Sequence, residues 1–134
     1  MGRADWERTY DADVPNRHHV LFTGFNKAMA VLDLRRSRCW IEVGSDTTRV
    51  RMSVWFRADV ATASLVSARL DDSRVTGWGV HGWRGQWLLN GSSRNIVRIE
   101  IDPHARARLM GFPVTLRCLR IAVEDPAALV AAVD

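Results

Sequence analysis

Six residues in this chain carry the side chains most often used for catalysis or metal binding: His18, His19, His81, His104, Cys39 and Cys118. A metal site needs three or four convergent ligands at a workable spacing, such as two histidines four apart on a helix, and no such pattern occurs. His18 and His19 are adjacent, so in a strand they point to opposite faces and cannot ligate together. The two cysteines are too few and too far apart for a disulfide framework or a zinc knuckle, and buried reduced thiols are expected. A cysteine or serine nucleophile lacks any local signature, including the Gly-x-Ser-x-Gly elbow. The reading is a protein without catalytic residues, cofactor or metal.

Binding chemistry is better represented. Trp78 to Asn90 reads Trp-Gly-Val-His-Gly-Trp-Arg-Gly-Gln-Trp-Leu-Leu-Asn, holding three of the six tryptophans and three of the nine glycines. Trp78, Trp83 and Trp87, with His81 and Arg84, could offer a large contact area and aromatic faces for a cation. The competing reading is that the tryptophans pack against a sheet, which is the ordinary role of large aromatics. Two arginine groups, Arg35-Arg36-Ser37-Arg38 and His104-Ala105-Arg106-Ala107-Arg108, could hold phosphate through forked guanidinium contacts. Arg49, Arg51 and Trp55 would give a basic strand face with an interleaved aromatic, as in single-stranded nucleic-acid platforms. The competing reading for these basic groups is a solvated face with local ion pairs to Glu42, Asp46, Asp71 and Asp72.

Composition bounds these options. The 134 residues suit one domain with one core. Apolar residues are 47% and charged residues 25%, as in an ordinary globular protein. The net charge is +4, and eighteen arginines stand against the single Lys27. Fifteen acidic residues offset that excess, so a dedicated nucleic-acid binder is disfavoured. No apolar run approaches the roughly 20 residues of a membrane span. The acidic start (Asp5, Glu7, Asp11, Asp13) is unlike a secretory leader, and a cytoplasmic protein is expected.

The elements that would position these groups read mainly as strands. Residues 1–17 form an arm, ordered in part, and residues 18–134 one domain. His18 to Phe25 reads as a first strand, and the period of Ala28 to Leu34 suits helix or strand. Cys39, Ile41 and Val43 alternate before the turn chemistry of Gly44-Ser45-Asp46. Val50, Met52, Val54 and Phe56 then share one face, with Arg49, Arg51, Ser53 and Trp55 on the other, which predicts an antiparallel hairpin. Leu65 to Leu70 is a further strand. The glycines at 79, 82 and 85 forbid a stable helix, because each costs roughly 1 kcal/mol relative to alanine, so two bent strands are expected around the tryptophans. After the turn Asn90-Gly91-Ser92-Ser93, the run Ile96 to Ile101 alternates and is expected to stop at Asp102-Pro103. His104 to Met110 reads as a short helical turn, and Thr115 to Val123 as the last strand. Asp125-Pro126 is a capping residue followed by proline at the first helical position, opening a helix over Ala127 to Val133. The expected fold is mainly β: a small curved antiparallel sheet or barrel of about seven strands, closed by a C-terminal helix.

Gly77-Trp78-Gly79-Val80 through Trp83-Arg84-Gly85, the strand Val97-Arg98-Ile99, and Leu119-Arg120-Ile121-Ala122-Val123-Glu124-Asp125-Pro126-Ala127-Ala128-Leu129 together resemble bacterial pleckstrin-homology-like domains. That resemblance implies the same curved sheet and late helix, and an adaptor that binds lipid head groups, peptides or copies of itself. The lysine-rich phosphoinositide loop of the eukaryotic relatives is missing here, and Arg35, Arg36 and Arg38 sit in a roughly comparable early position. The resulting expectation is a non-catalytic binding or assembly module with a protein partner or a homo-oligomer, and anionic lipid as a lesser alternative. A small-molecule carrier or small enzyme with a pocket near Trp83 and Arg84 is the second reading. A nucleic-acid binder through Arg49, Arg51 and Trp55 is the third.

Overall fold

A computed structural model describes residues 17–23, 33–72 and 79–134, without the side chain of Trp83. Residues 1–16 of the expected arm, residues 28–32 of the ambiguous segment and Trp78 therefore lie outside the described residues, while Arg17, expected in the arm, opens the first strand. Nine strands and one α-helix are described: β1 (Arg17–His19), β2 (Cys39–Val43), β3 (Thr47–Met52), β4 (Phe56–Ala61), β5 (Leu65–Asp71), β6 (Gly79–Trp83), β7 (Gln86–Asn90), β8 (Ile96–Leu109), β9 (Phe112–Ala122) and α1 (Pro126–Val133). They form one strongly curled open sheet, a half-barrel, in the order β1-β2-β3-β4-β8-β9-β7-β6, with β5 also paired to β8. The mainly-β class with a late helix is as expected. The strand count is higher, and β7 pairs β9 in parallel rather than antiparallel.

Alternation drives the curl. In β2, β3 and β4 every second residue is buried, so Ile41, Val43, Val50, Met52, Phe56, Ala58 and Val60 line the inside. Leu89, Val97, Ile99, Leu116, Leu119 and Ile121 supply the inside of the other half. The fourteen-residue β8 joins the two halves. Its start pairs β5 from Ile96 to Ile101, its end pairs β4 from Ala107 to Leu109, and β9 runs along its other edge. Between them, the β8–β9 register shifts between Glu100 and Ala105, around the cis Asp102–Pro103 peptide. A bulge of this kind bends a strand without ending it. The helical turn expected at His104 to Met110 is therefore strand: Ala105, Ala107 and Leu109 turn inward while Arg106 and Arg108 face out.

The predicted hairpin strand from Arg49 to Phe56 is interrupted. Ser53 takes φ 54°, and the Trp55 amide donates to the Met52 carbonyl at 3.1 Å, so the chain reverses before β4. Val54 consequently projects into solvent, and Trp55 packs against the core instead of sharing the face of Arg49 and Arg51.

One rim is tied together by the residues after β1. Val20 N donates to Cys39 O (2.9 Å), Leu21 N to Ala122 O (2.8 Å) and Thr23 N to Gly91 O (3.1 Å). Gly91 is required for this approach: a Cβ there would overlap the Phe22 ring and stand 2.7 Å from the Leu21 carbonyl oxygen.

The helix begins as its sequence dictates. The Asp125 carboxylate accepts from the Ala128 amide at 3.2 Å, Pro126 occupies the first turn, and Leu129 is fully buried. α1 packs chiefly on β5. Asp125→Ala is expected to cost about 1 kcal/mol in a denaturant melt, the usual value of an N-cap.

Candidate functional site

The β6–β7 hairpin carries the aromatic-glycine segment. Gly82 lies directly across from Trp87, and the hairpin turns through Arg84 (φ 52°) and Gly85 (φ 84°). The Gly85 carbonyl accepts from the amides of Arg117 (2.7 Å) and Cys118 (3.1 Å), which pins the turn to β9. The Trp87 ring is turned inward: it is only 9% exposed, and its centroid is 5.5 Å from that of Phe56. Its indole Nε1 donates to the Thr115 carbonyl at 2.9 Å, which satisfies the one polar atom taken inside. Gly82 permits this placement, because any Cβ there would overlap the indole. His81, Arg84 and Trp87 do come together, lining an open depression of about 550 Å³ with Gln86, Leu88 and Arg120. Arg120 is held by Asp71 at 2.7 Å, and Trp87 contributes from within the core.

Arg35, Arg36 and Arg38 each meet a carboxylate. Arg35 and Arg38 share Asp33, at 3.0 and 2.8 Å, and Arg36 reaches Glu124 at 2.8 Å. The Arg36–Glu124 pair ties the 3-10 turn Arg36–Arg38 to the residues after β9, and the Ser53 amide, donating to the Arg38 carbonyl at 2.8 Å, ties it to the turn that precedes β4. Exposed pairs of this type contribute little stability, but an incoming anion has to displace the carboxylates.

The outer face of β3, β4 and β8 is different. Cross-strand register puts Arg51 opposite Arg57 and Arg57 opposite Arg108, with Arg49 and Arg106 one step further along on the same face. Directly opposed side chains lie roughly 5 Å apart at Cβ, and like charges there destabilise the sheet. Arg51 is relieved by Asp59 (2.9 Å), and Arg108 donates to the Gly111 carbonyl (2.9 Å). Arg49, Arg57 and Arg106 form no salt bridge among the described residues, although Asp59 lies opposite Arg49 in register. Arg57, Asp59, Arg106, Arg108 and Pro113 line an open depression of about 340 Å³. The aromatic on this side is Trp40, stacked under the Arg17 guanidinium at 4.0 Å with Arg51 at 5.9 Å.

No cluster of three potential metal ligands occurs among the described residues. Cys39 is fully buried, and burial pushes its thiol up to about 11; the Cys118 thiol is also raised, again mainly by burial. Both should resist a thiol reagent at pH 8 in the folded protein and react on unfolding, a difference that a colorimetric thiol titration reads directly.

No known protein family matches this chain, and neither a curated protein nor a solved structure is similar to it.

The sequence pointed at Arg49, Arg51, Arg106 and Arg108 but not at their neighbour Arg57. The available signal was the alternation Ala105-Arg106-Ala107-Arg108-Leu109, which places Arg106 and Arg108 on a strand face.

Proposed function

We propose that this protein is a non-catalytic binding module whose outer β3–β4–β8 face takes an anionic partner. One observation carries the reading: Arg57 and Arg106 line an open depression with Arg108 and form no salt bridge among the described residues, and Arg57 stands in register between Arg51 and Arg108, while Asp59, the acidic residue of the depression, is engaged by Arg51. Guanidinium groups so placed keep their donors for an external oxyanion. The resemblance to pleckstrin-homology-like adaptors leads to the same class of function. Binding of heparin, a soluble polyanion, by wild type and by Arg57→Glu/Arg106→Glu tests it. A self-association reading rests on β6, which ends the sheet with one edge unpaired among the described residues, and light scattering after size exclusion tests that.

A further inference from the structure

We propose that the anionic partner is the surface of a lipid bilayer, and that the rim formed by the β3–β4 and β8–β9 turns enters it. This rests on the binding-module reading above. The two turns lie side by side, because Phe56 pairs with Leu109 and the Met110 amide donates to the Trp55 carbonyl at 2.8 Å. Together they present Val54, Met110 and Phe112, exposed at 67%, 55% and 71%. These are three of the five large apolar side chains left in solvent among the described residues. Their clustering at one rim marks an interaction surface.

Charge completes the arrangement. Arg108 lies two residues before Met110, and Arg57 and Arg51 are in register with it. At roughly 3.3 Å per residue this row stands about 7 Å behind the tip, and Arg49 and Arg106 stand about 7 Å further back, in a second row that also holds Asp59, opposite Arg49 and bonded by Arg51. Apolar side chains of interfacial proteins sink roughly 5–10 Å to the headgroup–acyl boundary, which brings the first arginine row level with the lipid phosphates. Ser53 of the same rim bonds Arg38 through its amide (2.8 Å) and Asp33 through its hydroxyl (3.3 Å), so the flanking turn adds two arginines against one carboxylate. A single-stranded nucleic acid fits less well, since it needs exposed aromatic platforms on the basic face. Here Trp40 lies under Arg17 and Trp55 packs on the core.

The test is vesicle flotation with phosphatidylcholine alone and with added phosphatidylglycerol, at low and high salt, beside heparin binding by the same proteins. Wild type is expected to float only with phosphatidylglycerol and to release at high salt. Val54→Ser/Met110→Ser/Phe112→Ser should lose at least about tenfold in vesicle affinity, as apolar burial predicts, yet keep heparin affinity. Phe112→Ser alone is the fallback if the triple variant unfolds. Arg57→Gln/Arg106→Gln should lose both, about fivefold per arginine on vesicles. Rim variants that float like wild type overturn the proposal. So does a wild type that binds heparin through Arg57 and Arg106 but ignores vesicles, although the binding-module reading then stands. If neither heparin nor vesicles bind, both fall.

Discussion

Trp87→Ala is expected to lower the free energy of unfolding by about 3–5 kcal/mol, the range for deleting a large aromatic from a packed core. The indole closes the inside of the half-barrel between β6 and β9, against Phe56, and its Nε1 bond to Thr115 is lost with it. A double-mutant cycle with Phe56→Ala should return a coupling of about 0.5–1.5 kcal/mol beyond area burial, since tilted ring pairs interact directly. Gly82→Val should mimic the loss by pushing the indole out of place, with a cost of about 1–3 kcal/mol or more for overpacking. Denaturant melts measure all three. A Trp87→Ala change within about 0.5 kcal/mol of wild type would mean that the ring is a surface feature and that the hairpin is open for binding.

Arg57→Glu/Arg106→Glu should reduce heparin affinity by on the order of 100-fold, because each charge-assisted bond removed is worth about 1.5–3 kcal/mol. The same substitutions should leave stability unchanged or slightly higher. A glutamate at position 57, between Arg51 and Arg108, would convert an opposed like-charge row into attractive pairs, each worth roughly 0.2–1 kcal/mol. Calorimetric titration and thermal melts together separate the two roles. A variant that binds normally but melts earlier would assign these arginines to the fold and remove the proposed site.

The contrast between these two regions follows what a linear sequence carries. Alternation in Cys39–Val43 and Thr47–Met52 and the cap at Asp125-Pro126 are local signals, and each element forms where they point. Trp55 and Val54 changed sides because three residues of turn replaced the middle of an alternating run, and a period of two continues across such a turn by coincidence. Pro103 reads as a strand terminator in isolation. In the fold it falls in a bulge, where a missing amide costs no ladder bond. Arg57 carries no signal of its own, being flanked by Phe56 and Ala58 and two residues from Asp59. Only register, set by β8 meeting β4 rather than β5 at that point, places it between two other arginines. Likewise Glu124, the partner of Arg36, is 88 residues away and could not be assigned by proximity. The parallel pairing of β7 with β9 is of the same kind: it depends on which edges meet, not on the content of either strand.

The short run from Val20 to Thr23 also sets a timetable for the chain. Leu21 is among the first of the described residues to be synthesised, and its carbonyl partner Ala122 follows about a hundred residues later. Loop closure over that distance must precede the reward of the contact, so this rim forms late and the domain belongs with slow-folding, high-contact-order topologies. On a ribosome, the sheet stays unlatched until β9 has emerged, and the amides of Leu21 and Thr23 should be the last in their region to gain protection from solvent exchange.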